Sequence, residues 1–224
     1  MAAGTGNVDS ARLLHDYAIL PAVAGKENGW RGKLHDAALK CDYPAFAAHL
    51  KNIDAENEFI ADLTKTDGTT ILMTAAFGGC DAIIELVLKM DIGGDIDQTG
   101  YHGLTALHIA STRNHASTIK LLAEQGGANI MKAHKFAGTT ALHMAAELNQ
   151  SAAVEALCLL GADPNAITST GGTSLHSAAH AGAGRAVVIS LVTQCHANPD
   201  ALLNEDTTPL YLAAQFGFSE TIRV

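Results

Sequence analysis

The chain has 224 residues, a net charge of −9 at neutral pH and 48% hydrophobic residues, which is length and apolar content for one or two packed domains. Its 14 Lys and Arg are scattered among 23 Asp and Glu, which argues against nucleic acid or an anionic membrane surface as partner, since both need clustered positive charge. No apolar run approaches the roughly 18 residues or more of a membrane-spanning helix.

Residues 1–29 precede the first repeated motif. Within them Leu13, Leu14, Tyr17, Ala18 and Leu20 stand at partly helical spacing, which predicts a helix capping whatever follows and ending near Pro21. The segment Ala22-Val23-Ala24-Gly25 has the look of a cleavage site. Asp9 and Asp16 interrupt the stretch before it and Arg12 alone supplies positive charge, so no secretion signal is read.

From residue 30 onward the chain repeats itself. An eroded copy, Leu34-His35-Asp36-Ala37-Ala38 with Gly32 ahead of it, is followed by Thr70-Ile71-Leu72-Met73-Thr74-Ala75. Three full copies come next: Thr105-Ala106-Leu107-His108-Ile109-Ala110, Thr140-Ala141-Leu142-His143-Met144-Ala145 and Thr173-Ser174-Leu175-His176-Ser177-Ala178. Thr208-Pro209-Leu210-Tyr211-Leu212-Ala213 closes the series, so the threonines stand at 70, 105, 140, 173 and 208. Six units follow, near 30–66, 67–101, 102–136, 137–169, 170–204 and 205–224, the last incomplete.

In the fourth unit Thr140 is placed to cap a first helix, Asn149 marks a turn, Val154 and Leu157 give a second helix its inward stripe, and Gly161 ends it. Ile84 and Val187 keep the spacing of Val154 from its threonine, yet Gly93-Gly94-Asp95-Ile96-Asp97 and His196-Ala197-Asn198-Pro199-Asp200 arrive two residues late. The extra residues are therefore expected in the second helix, or its exit, of units two and five.

A period near 33 carrying Thr-Pro-Leu-His-x-Ala resembles the ankyrin repeat. The resemblance runs from about residue 30 to 224 and is closest through Gly138 to Ala146 with Gly161-Ala162-Asp163-Pro164-Asn165-Ala166. It implies an all-α repeat solenoid of stacked helix-turn-helix units joined by hairpin-like loops. The motif histidine is implied to bond backbone groups where neighbouring units meet.

Little else in the chain points to chemistry. Cys41, Cys80, Cys158 and Cys195 include no close pair, so all four are expected as reduced, structural thiols, and with them a cytoplasmic location, a nuclear one being the other reading. Cys158 is expected to pack as a small hydrophobe. His176 and His180 share a helix face, but the motif accounts for the first, and His-x-x-x-His lacks the glutamate of a zinc peptidase. No phosphate loop or nucleophile elbow occurs. No enzyme activity, cofactor or metal is expected.

Recognition remains. In ankyrin proteins the resemblance implies a concave partner-binding surface of loop tips and first helices. The tips are Tyr101-His102, His134-Lys135-Phe136, Ile167-Thr168-Ser169 and Leu202-Leu203-Asn204; first-helix ends add Phe77, Arg113, Asn114, Glu147, Leu148, His180, Gln215 and Phe216. The leading expectation is a monomeric, non-enzymatic module that binds a protein or peptide partner there, with aromatics as anchors. The alternative is a regulatory or targeting segment of a larger protein whose catalytic or channel activity lies elsewhere, since Val224 falls about a turn short of a complete last helix. Asn165, with Leu157 and Asp163 before it, also resembles the substrate pattern of the asparaginyl hydroxylase that acts on ankyrin-repeat loops.

Overall fold

A computed structural model describes residues 29–55, 64–65, 67–100, 102–204 and 206–222. The expected capping helix within 1–29 and the side chain of Tyr101 lie outside them. The chain divides into two compact units between Ala106 and Leu107.

The first unit contains α1 (Trp30–Leu39), α2 (Tyr43–Ala55), α3 (Ile71–Gly78) and α4 (Asp81–Met90). First helix packs on first helix, α1 against α3, while α2 contacts α4. Leu34, Ala38, Phe46, Leu72, Ile83, Ile84 and Val87 fill the space between, all buried. The helix pairs approach closely at Gly78, where an added Cβ would lie 2.7 Å from the Leu39 carbonyl oxygen. Thr70 caps α3 by accepting the Met73 amide at 3.2 Å, and Met73 Sδ accepts the Thr70 amide at 3.5 Å, so a thioether takes the place of the motif imidazole. His35, the histidine of the eroded copy, reaches Thr74 Oγ1 in the next first helix at 2.7 Å.

The second unit opens within α5 (Ala106–Thr112) and continues through α6 (Ala116–Glu124), α7 (Ala141–Glu147), α8 (Ser151–Leu159), α9 (Ser174–Ala181), α10 (Arg185–Ile189), α11 (Pro209–Gln215) and α12 (Ser219–Ile222). The helices α7, α9 and α11 stack in order, as do the second helices α6 and α8. Val154, Leu157 and Val187 are fully buried, as their spacing predicted. No helix of the described residues is long and apolar enough to cross a membrane.

One turn geometry recurs through both units. Nine residues after each threonine, or after Gly32 in the eroded copy, the chain turns between its two helices with φ between 55° and 74°: Cys41, Gly79, Asn114, Asn149, Gly182 and Gly217. Glycine and asparagine suit this left-handed region, and asparagine also has a side chain that can bond outward. Asn114 Oδ1 accepts the Ala153 amide at 2.9 Å and Asn149 Oδ1 the Gly184 amide at 2.8 Å, each tying one turn to the next repeat.

The late closing segments have different structural origins. In the second repeat α4 is one residue longer than α6 or α8, and Asp91 ends it in a left-handed cap. In the fifth repeat the excess forms a π-helical turn, Ser190–Gln194, continuing α10.

The cysteines correct the sequence reading. Instead of four separate thiols, the structure joins Cys41 to Cys80 and Cys158 to Cys195 as disulfides, with Cα–Cα distances of 5.0 and 4.9 Å. Their separations of 39 and 37 residues are close to one repeat. In a stack of repeats, one period along the chain is a single step across to the neighbour, so distant cysteines become partners. Cys158 is therefore not a free apolar filler.

Candidate functional site

Among the described residues, each first helix from α3 onward is preceded by a hairpin tip closed by its own backbone. The amide near the start of the tip donates to the carbonyl just before the capping threonine: Lys65 to Thr69 at 2.9 Å, Gly100 to Leu104 at 3.1 Å, His134 to Thr139 at 2.8 Å, Thr168 to Gly172 at 2.9 Å and Leu203 to Thr207 at 2.8 Å. Gly68, Gly103, Gly138 and Gly171, two before the threonine, take φ of 65° to 85° to turn the chain. Only Leu203 and Thr207 meet the criteria of a β-bridge among the described residues.

The motif histidines hold these tips in place. His143 Nδ1 accepts the Thr140 amide at 3.2 Å, completing a capping box, while Nε2–H donates to the Gly172 carbonyl of the next repeat at 3.2 Å. That carbonyl already closes the 168–172 tip. His176 repeats the arrangement, with Nδ1 on Thr173 and Nε2 donating to the Thr207 carbonyl at 3.1 Å. Burial pushes the imidazoles of His108 and His143 down to about 4, with His134 adding to the effect at His108 and the Gly172 carbonyl opposing it at His143. Burial lowers His176 as well. His143 and His176 each present one ring nitrogen to the capping threonine and the other to a carbonyl of the next repeat, which is the role the resemblance implied.

On this scaffold the expected surface residues have unequal fates. Phe136, Ile167 and Leu202 project from three tips of the second unit at 73%, 66% and 55% exposure. Lys135 Nζ lies 5.7 Å from the Phe136 ring centroid. Arg113, Asn114, Gln215 and Phe216 are exposed, while His102, Glu147, Leu148 and His180 are half-buried. The structure brings His180 and Phe216 together edge-on at 4.9 Å, and Phe218 lies 6.0 Å from Phe216.

Two expected surface positions are corrected, because Phe77 is 7% and His134 2% exposed. Phe77 is absorbed among the helices of the first unit. His134 turns under its own tip, where Nδ1 accepts the Ala137 amide at 3.2 Å and the ring meets Phe136 edge-on at 5.7 Å. Leu203, half-buried, packs on the cluster of Ala179, Leu212 and Ala213.

Leu210 and Tyr211 are exposed large side chains that the sequence reading missed. The motif leucines of the earlier copies, Leu72, Leu107, Leu142 and Leu175, are by contrast buried.

Asn165 has a structural task. Its Oδ1 accepts the Asn198 amide of the next repeat at 2.8 Å, and its own amide is held by Asp163 Oδ1 at 2.9 Å. One repeat earlier Met131 Sδ accepts the Asp163 amide at 3.3 Å, the same rung made with sulfur. Replacing Asn165 with Ala is expected to cost about 1 kcal/mol of stability, read as a lower urea midpoint. An unchanged midpoint would show that the rung contributes nothing.

Comparison with known proteins agrees with this geometry. The sequence matches the family described as Ankyrin repeats (3 copies) over residues 34–134, 90–168 and 142–224. It is 40% identical over 68 residues to Inversin of Danio rerio and 38% identical over 66 residues to Inversin of Gallus gallus, in each case 30% of this chain but only 7% and 6% of those much longer proteins. Among solved structures, a chain of the complex of the Bd0816 predatory endopeptidase from Bdellovibrio bacteriovorus with immunity protein Bd3460 is similar, with a TM-score of 0.70 at 24% identity over 85% of this chain and 95% of that one. The ankyrin repeat domain of Bcl-3, of the IkappaB protein family, gives 0.65 at 22% identity over 86% and 98%. The fold class is the all-α repeat solenoid, built for protein–protein interaction, and the chain belongs to the ankyrin repeat family.

Proposed function

We propose that this chain is a non-enzymatic interaction module, expected to be monomeric, that binds a protein or peptide partner through the hairpin tips and adjoining first-helix ends. The observation that carries the reading is the exposure of Phe136, Ile167 and Leu202 on three tips of one unit, where the repeat itself requires no large apolar group. Such side chains contribute interface energy once desolvated by a partner. The proposed surface of the second unit also takes in Lys135, Arg113, Asn114, Glu147, Leu148, His180, Gln215 and Phe216. The net charge of −9 disfavours nucleic acid and anionic membranes.

Affinity capture tests the reading. Alanine at Phe136, Ile167 and Leu202 together is expected to release a partner that the wild-type chain and a Lys120→Ala control both retain, with stability changed by no more than about 0.5 kcal/mol per exposed site. Loss in the Lys120→Ala variant instead would move the site to the second helices.

A regulatory or targeting role within a larger protein is the second reading. The observation that favours it is the Inversin match, in which the similar segment is only 7% of the relative. Cytoplasmic or nuclear location belongs to the proposal too, but the bridged cysteines remove the free-thiol argument on which it rested. Hydroxylation of Asn165 is proposed as a modification compatible with its rung, because the side chain stands on an exposed loop. Tryptic mass spectrometry is expected to show one added oxygen on the Asn165 peptide where the hydroxylase is active; a wholly unmodified peptide would end that proposal.

A further inference from the structure

The two disulfides occupy equivalent roles in their units: each joins consecutive repeats. Cys41 holds the left-handed turn between α1 and α2, at φ 55°, and Cys80 stands at the N-terminal cap of α4. At the corresponding turns of the second unit the link is non-covalent. Asn114 and Asn149 supply side-chain hydrogen bonds, and at Gly182 the ring of Phe218 packs so closely that an added Cβ would lie 2.7 Å from it. A covalent bond replaces an asparagine rung in the first unit.

Cys158 and Cys195 tie the ends of second helices instead. Cys195 follows directly on the π-helical turn Ser190–Gln194. One residue more or fewer rotates a helical position by about 100°, so the extra residue of that turn sets whether Cys195 faces Cys158. The loops beginning here carry the bond from the Asn198 amide to Asn165 Oδ1 at 2.8 Å.

Exposure divides each pair in the same way. Cys41 is exposed and Cys158 partly so, whereas Cys80 is 4% and Cys195 9% exposed. A small external thiolate meets the more exposed cysteine of each pair first, and access bears on which sulfur is attacked.

We infer that the two cystines are exchangeable staples between repeats, with Cys41 and Cys158 as the points of entry and Cys80 and Cys195 as leaving groups, and that the second staple orders the loops joined by Asn165 and Asn198. With glutathione as reductant, its thiolate attacks Cys158 Sγ and a mixed disulfide forms as the Cys158–Cys195 bond breaks. The Cys195 thiolate leaves and takes up a proton. A second glutathione thiolate attacks the glutathione sulfur of the mixed disulfide, releasing the Cys158 thiol and glutathione disulfide. Two electrons and two protons pass from two glutathione molecules to one cystine, and the reverse sequence closes the staple. Cys41 and Cys80 react in the same way.

The test uses the whole chain in glutathione buffers. In an oxidising buffer rapid alkylation under denaturing conditions is expected to label no cysteine, and in a reducing buffer all four. Hydrogen exchange of the His196, Ala197, Asn198 and Asp200 amides is expected to be at least about tenfold faster in the reduced chain, and to lose its redox dependence in a Cys158→Ser/Cys195→Ser variant. Cys195→Ser should leave Cys158 to accumulate the glutathione adduct, with much less adduct on Cys195 in Cys158→Ser. Four labelled thiols in the oxidising buffer, equal exchange in the two states of the wild-type chain, or equal adduct on both cysteines of a pair would overturn the inference. The first two readouts need no substitution, so a variant that fails to fold does not blunt the test.

Discussion

Acidification from about pH 7 to about pH 4 is expected to remove several kcal/mol of stability from this chain, through histidines that are buried in their neutral form. His108 and His143 have pKa values near 4 in the folded chain, against an ordinary value of 6.5. The folded state thus binds fewer protons than the unfolded state between those values, and stability rises with pH across the window. The contribution is fully present above about pH 6.5, is lost progressively as pH falls towards 4, and changes no further below that. The difference corresponds to about 3 kcal/mol for each histidine, with His176 adding in the same direction. Urea midpoints measured at about pH 7, 5.5 and 4.5 should fall in that order, and His143→Gln, which carries no titrating ring, should flatten the fall. A midpoint independent of pH over this range would mean that these rings protonate in place.

The same residues explain how much of the molecule could be read in advance. The motif repeats because each copy solves one local problem, capping a helix and gripping the next hairpin, so the burial of Val154, Leu157 and Val187 followed from spacing, while the stacked helix pairs were what the ankyrin resemblance implied. The role of His143 was what the ankyrin resemblance implied, and its bonds to Thr140 and Gly172 agree with it.

What spacing did not show depends on the step between repeats. Met73 Sδ replaces an imidazole, Met131 Sδ replaces an asparagine oxygen, and Cys41 replaces an asparagine turn. Each substitution keeps the geometry while changing the chemistry, so a search for identical residues passes over it. The surface was legible to a lesser degree. Phe136 and Ile167 lie where the repeat leaves them in solvent, but Phe77 and His134, in comparable stretches of sequence, turn inward. For His134 the difference is a local hydrogen bond to the Ala137 amide, which periodicity cannot reveal.

Replacing His143 with Ala is the single substitution expected to act most strongly. The ring is fully buried, accepts the Thr140 amide and donates to the Gly172 carbonyl. Alanine would leave that amide without its acceptor, open a cavity at the first turn of α7, and free the next repeat's tip from its anchor. Lost hydrogen bonds and lost packing together are expected to cost about 3 kcal/mol, against no more than about 0.5 kcal/mol for the exposed Lys135→Ala. His143→Gln keeps a polar side chain near both partners and should recover part of the loss. Because the Gly172 carbonyl also receives the Thr168 amide at 2.9 Å, hydrogen exchange at Thr168 should accelerate in His143→Ala although residue 143 lies in the preceding repeat. Urea unfolding and exchange at that one amide check the two halves of the argument separately. An unmoved midpoint would remove His143 from the stabilising network, and a lowered midpoint with unchanged exchange at Thr168 would confine its role to capping α7.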